Sequence, residues 1–203
     1  MNDDAELALF PLQTVLFPGG LLSLKVFEAR YLDLMATCMR EQRPFGVVAL
    51  LRGNEVRRAG DAVAFESTGV LAELIEVDCA QPGILLLRCR GTQRFEVLGT
   101  RQQADGLWLA RTGLLPGDET VAPGAALLDT VRGLANAIAS LKSKGTEPFE
   151  APFRFDSAGW VANRWCEILP ISLAAKQRLM ELPDPLVRLE LVDEFLRGKG
   201  VVK

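Results

Sequence analysis

The sequence predicts an α+β chain, with a strand-rich front half followed by a helical tail. Three observations carry this. Across residues 1–116, apolar residues alternate or gather in short runs enriched in β-branched and aromatic side chains, the period of strands. After the Pro/Gly/acidic break LLPGDETVAPG at 114–124, apolar residues recur at steps of three and four, the period of helices. With 203 residues, 49% of them hydrophobic and 24% charged, the chain can bury a core and lacks the composition of a disordered or collagenous one. The expected division is a β subdomain at 1–116 and a helical subdomain at 117–203.

Glu6–Phe10 and Leu21–Val26 read as the first two strands. Between them, Phe17-Pro18-Gly19-Gly20 fits a type II turn: proline presets φ at the second position and glycine accepts positive φ at the third. Phe27, Tyr31, Leu34, Met35, Cys38 and Met39 then recur at helical spacing, predicting a helix from Phe27 to Arg40 that stops before Pro44. FGVVALL at 45–51 is a short apolar run of the kind that forms a buried strand. Ala62–Glu76 alternates around Gly69, Ile84–Leu98 contains Gly91, and Leu107–Leu115 closes the set. Glycines inside strand patterns mark bends or bulges, as small barrels need.

In the tail, Leu127, Val131, Leu134, Ile138 and Leu141 form one helical stripe, followed by a Pro/Gly-rich break at 142–153. Asp156 is placed to cap a helix over Ser157–Leu169, Ser172 one over Leu173–Leu182, and Asp184-Pro185 opens one that runs to Arg197. Trp160 and Trp165 are expected to cover core or interface surface.

Composition excludes much. There is no histidine, which removes Ser-His-Asp and Cys-His catalysis and His-ligated metals. A net charge of −3 is the wrong balance for a general nucleic-acid binder. The acidic start MNDDAELALF is unlike a signal peptide and no apolar run reaches membrane-spanning length, so a cytoplasmic protein without a membrane association is expected. Cys38, Cys79, Cys89 and Cys166 are scattered, without metal spacing, and read as reduced structural thiols. No phosphate-binding glycine pattern, cofactor motif or catalytic residue is identified.

The weaker candidates also have plain structural roles. Period-two alternation puts Arg88, Arg90, Thr92 and Arg94 on one strand face and Leu85, Leu87, Cys89 and Phe95 on the other. With Arg52, Arg57 and Arg58 the arginines offer an RNA- or anion-binding patch, the alternative function. The acidic total and the lack of interleaved aromatics favour a solvated face. Ser172 with Lys176, and Ser23 with Lys25, have Ser-Lys spacing, but a cap and a surface lysine explain them. Asp118-Glu119 and Asp193-Glu194 read as solvated acids.

LFPLQTVLFPGGLLSLKVFEARYLDLM resembles the opening of the amino-terminal, substrate-binding domain of the ATP-dependent Lon protease. That pattern is carried by Leu9–Leu12, by Val15, Leu16, Phe17, Pro18 and Gly19, and by Phe27, Glu28, Arg30 and Tyr31. Gly69-Val-Leu-Ala-Glu-Leu-Ile75, Gly91-Thr-Gln-Arg-Phe95 (with Arg94 of the family's G-x-x-R-F element) and KQRLMELPDPLVRLELVDEFL at 176–196 continue it in order. The resemblance implies a PUA-like six-stranded β pseudobarrel with one helix, followed by a carboxy-terminal helical bundle. It also implies a non-catalytic, protein-interaction module that engages polypeptides, since Lon's Walker loop and Ser-Lys protease module have no counterpart in these residues. The motif residues are expected to organise structure, with Glu28 and Arg30 tying the helix to the barrel. Phe149, Phe153 and Phe155 are the candidate binding residues, and an apolar groove between barrel and helices is the expected contact surface. No oligomeric state is assigned.

Overall fold

The structure, a computed structural model, describes residues 6–55 and 62–202. The chain divides into two compact units, Met1–Pro116 and Gly117–Lys203. In the first unit, β1 (Leu7–Leu12), β2 (Leu21–Val26), β3 (Phe45–Arg52), β4 (Ala64–Gln81), β5 (Ile84–Gln102) and β6 (Trp108–Leu114) form a mixed sheet ordered β2-β5-β4-β3-β1-β6. The sheet curls shut because β5 changes neighbours along its length. Through Arg90 it pairs with β2, and from Phe95 onward with β6. The pairing of β1 with β3 is parallel, the others antiparallel.

Leu9, Val48, Phe95 and Ala110 meet inside the closed sheet, with Leu7, Phe65, Leu71, Val97 and Trp108 packed around them. Apolar runs such as FGVVAL in β3 are buried on both faces, which is why they lack alternation. Gly69 gives Phe95 its room: a Cβ there would stand 2.5 Å from the Phe95 ring and from the Val47 carbonyl oxygen.

α1 spans Ala29–Glu41, starting two residues later than the sequence predicts, with Glu28 as its extended N-cap residue. Arg30, Tyr31, Leu34, Met35 and Cys38 form its buried arc. Phe27 and Met39, expected on that arc, are instead 50% and 45% exposed. Phe27 follows β2 and precedes the helix, so helical periodicity does not set its direction; Met39 lies past the edge of the arc.

β4 and β5 outrun the expected strands, to Gln81 and Gln102. Their ladder continues where apolar alternation has stopped, as far as Gln81 opposite Ile84.

In the second unit, a 3₁₀ turn (Ala125–Leu127) leads into α2 (Leu128–Ser143), followed by α3 (Ala158–Ile168), α4 (Leu173–Glu181) and α5 (Pro185–Gly198). Leu134, Ile138, Val161, Trp165, Leu189, Val192 and Leu196 are buried. The Trp165 indole N–H donates to the Thr130 carbonyl at 3.0 Å. Ser157 rather than Asp156 caps α3, its hydroxyl accepting the Trp160 amide; Ser172 and Asp184 cap α4 and α5 as expected. No helix of the described residues is long and apolar enough to cross a membrane.

Candidate functional site

The Phe17–Gly20 turn has the chemistry its residues dictate. Gly20 N–H donates to the Phe17 carbonyl at 2.9 Å, and Gly19 has φ +73°. The turn is also bonded to β5: Gly19 N–H reaches the Gly91 carbonyl, and Gly91 N–H the Gly20 carbonyl, each at 2.8 Å. A Cβ on Gly91 would land on the Phe17 carbonyl oxygen. Two glycine-containing segments some seventy residues apart thus form one joint, where β5 leaves β2.

Just past that joint β5 carries a bulge. Ala72 faces Gly91 and Val70 faces Arg94, so three steps on β5 match two on β4. The extra residue reverses the alternation the sequence predicts. Arg94 falls on the side of Leu87 and Cys89, is 4% exposed, and donates to the Pro116 carbonyl at 3.1 Å. Phe95 turns to the opposite side, into the closed sheet. The expected stripe of Arg88, Arg90 and Arg94 therefore does not form. Arg88 pairs with Glu76 at 3.2 Å, and Arg90 stands across from Glu73. Arg57 and Arg58 lie outside the described residues.

Glu28, Arg30 and Tyr31 converge at the start of α1. Arg30 pairs with Glu28 at 2.9 Å, donates to the Gly106 carbonyl at 2.8 Å, and lies 4.5 Å from the Tyr31 ring centre. Tyr31 stacks on Phe10 of β1 with ring centres 3.8 Å apart, and burial pushes its hydroxyl up to about 12. This constellation fastens α1 to the sheet.

An accessible feature of this unit is the three-stranded ribbon of β2, the first half of β5 and the far half of β4. Ladder register sorts it into two faces. Leu21, Ser23 and Lys25 share one with Arg90, Arg88 and Leu86, and with Glu73, Glu76 and Asp78. Leu22, Leu24 and Val26 share the other with Cys89, Leu87 and Leu85, and with Leu74, Val77 and Cys79. The apolar face opens beside the end of α1 into a groove of about 460 Å³. Met39, Arg43 and Pro44 form one wall, and Leu74, Ile75 and Val77 the other. Val77 is 38% exposed. Neither Met39 nor Val77 stood out in the sequence: Met39 belongs to a helical apolar pattern that elsewhere means core, and Val77 lies just past the strand that alternation predicts.

In the helical unit, the three candidate phenylalanines separate. Phe149 is buried, with the Arg164 guanidinium 5.5 Å from its ring centre and 5.8 Å from that of Trp160. Phe155 is half-buried against Trp160 at 5.4 Å. Phe153 is 42% exposed at the rim of the same cluster. Beneath it Arg164 binds Glu167 at 2.6 Å. Burial raises Glu167 to about 7 against the pull of Arg164, and lowers Arg164.

Asp118 is not a solvated linker acid. It grips the fully buried Arg188 through two hydrogen bonds of 2.6 and 3.0 Å, and Arg188 also donates to Asn163, Leu179 and Leu182. Asp193 likewise accepts from Thr130 and Arg197. The Ser172 hydroxyl accepts the Ala175 amide at 3.2 Å and Lys176 donates to the Glu167 carbonyl at 2.9 Å, so both serve the helices.

Residues 6–198 match the family model of the ATP-dependent protease La (LON) substrate-binding domain. The chain is 26% identical to Lon protease 2 of Myxococcus xanthus over 200 residues, covering 95% of this chain and 24% of that protein. It thus spans about a quarter of that relative's length. A solved Lon N-terminal domain protein from Xanthomonas campestris aligns with a TM-score of 0.69 at 30% identity, covering 93% of this chain and 96% of that one. The N-terminal domain of Mycobacterium avium complex Lon protease shares the fold, with a TM-score of 0.63 at 16% identity, over 94% of this chain and 97% of that one.

Proposed function

Because the chain belongs to the Lon substrate-binding domain family, we propose that it binds polypeptide segments in the groove between the end of α1 and β4, without catalysing a reaction on them. The observation that carries this reading is the cleft where the ribbon's apolar face, buried at Val26, Leu87 and Cys89, reaches the surface beside α1. Met39 and Val77 stand exposed on facing walls of a cleft whose floor continues into the sheet. Clefts of this size, apolar with a few polar groups at the rim, suit side chains of an extended or loosely structured partner. The polar groups at the rim, Glu73 and Arg43, would orient a segment rather than react with it. Phe153 offers a separate aromatic contact in the helical unit. Any unfolding or cleavage of the bound polypeptide is assigned to ATPase and protease machinery outside these residues, in a cytoplasmic setting.

The test is binding of a labelled, reduced and carboxymethylated model protein, followed by fluorescence anisotropy. Met39→Asp with Val77→Asp should weaken binding about tenfold or more at an unchanged melting temperature. A wild-type protein that binds no unfolded chain, or a double variant that binds as well as wild type, would sink the proposal.

A further inference from the structure

β2 is an edge strand, and its free edge borders the apolar face just described. Among the described residues it pairs only with β5. The direction of its main-chain groups follows from one bond. Gly91 N–H donates to the Gly20 carbonyl and the Gly91 carbonyl accepts Gly19 N–H, each at 2.8 Å, so Gly19 and Gly20 together oppose Gly91 as the bonded step at the head of the ladder. Bonded and non-bonded pairs alternate in antiparallel sheets. Leu22, Leu24 and Val26 therefore exchange hydrogen bonds with Cys89, Leu87 and Leu85, while Leu21, Ser23 and Lys25 turn N–H and C=O away from β5. Ser23 and Lys25 are exposed. An outward row of donors and acceptors with an adjoining apolar face is the template to which an extended chain adds as a further strand.

We propose that the bound polypeptide is held by strand addition to the β2 edge, its main chain bonded to Leu21, Ser23 and Lys25. The partner is an extended segment alternating apolar and polar residues. Its apolar side chains extend the face of Leu22 and Leu24 at the margin of the ribbon opposite the groove wall on β4, and an acidic side chain on its other face sits across from Lys25. This mode deepens the polypeptide-binding reading and rests on it.

The probe is a short labelled peptide alternating valine with serine and glutamate. Ser23→Pro is the selective variant: it removes an outward N–H and leaves the bonds to β5 intact, a position where edge strands tolerate proline. Leu24→Pro, which removes a bond to β5, is the disruptive control. Three results are expected. Amide exchange at Leu21, Ser23 and Lys25 slows when peptide is added; Ser23→Pro weakens binding about tenfold or more; replacing the peptide's glutamates by lysine weakens it too. If Ser23→Pro fails to fold, the wild-type amide exchange decides alone. Binding that leaves these three amides unprotected overturns strand addition while the groove reading stands. Failure of the wild-type protein to bind peptide or unfolded chain overturns both. Protection that appears in the free protein and grows with its concentration assigns the edge to a second copy and overturns the proposal.

Discussion

Gly91 shows how much can hang on a missing side chain. Its main chain exchanges two hydrogen bonds with the Phe17–Gly20 turn, and the Phe17 carbonyl occupies the space a methyl group would need. Gly91→Ala should cost roughly 1–3 kcal/mol, as overpacking does in rigid cores, measured by urea denaturation. Arg30→Ala removes an ion pair and a main-chain hydrogen bond from a buried site and should cost about 2–3 kcal/mol by the same measurement. An unchanged midpoint in either variant would show that the contact is dispensable. Glu167 makes a pH prediction. Its folded-state carboxyl is raised from 4.5 to about 7, so the folded protein holds that proton more tightly than the unfolded chain. The associated stability is complete below about pH 4.5 and is lost as pH rises to about 7. Melting temperatures of wild type should therefore fall across that window, and Glu167→Gln should show a shallower fall. The residues at the head of α1 were legible in the sequence because Glu28, Arg30 and Tyr31 are local to one another. Asp118 was not: its partner Arg188 lies seventy positions away, and nothing short of the folded helices brings them together.

At the scale of elements, strand existence was legible and strand phase was not. β2 has the bounds its alternation predicts. In β5 the same alternation misplaces Arg94 and Phe95, because one extra residue after Gly91 resets which side is which. The glycine pointed to a bulge; the register needed to see its effect is set by β4. The binding surface escaped for a related reason. Met39 belongs to a pattern that buries its neighbours, Val77 lies beyond the predicted strand, and exposure depends on where the opposing element ends. Among the helices, α3 and α5 are fastened through Arg188, which contacts Asn163 of one from its place on the other. Arg188→Leu should cost about 3–5 kcal/mol, since it strands a carboxylate in a buried pair. Asp118→Ala combined with it should add little further loss, and fully additive losses would show that the two residues do not act as a pair.

At the scale of the whole molecule, the segment 117–124 belongs with the helices that follow it. Asp118 bonds to α5 and the Val121 carbonyl accepts the Ala158 amide at 2.8 Å. If 117–203 is an independent domain, a fragment beginning at Gly117 should keep helical circular dichroism and melt cooperatively. One beginning at Ala125 should not, having lost Asp118. Equal melting of the two fragments would count against this boundary.

The pairing of β1 also sets a timetable for synthesis. β1 is made first, gains β3 as its parallel neighbour, and receives its second neighbour only when Trp108–Leu114 has been translated. At about 5–20 residues per second, the roughly one hundred intervening residues keep the ribosome busy for on the order of 5–20 s. During that interval one side of an apolar strand waits unpaired. A nascent chain stalled before β6 should therefore be the form of this protein most dependent on chaperones.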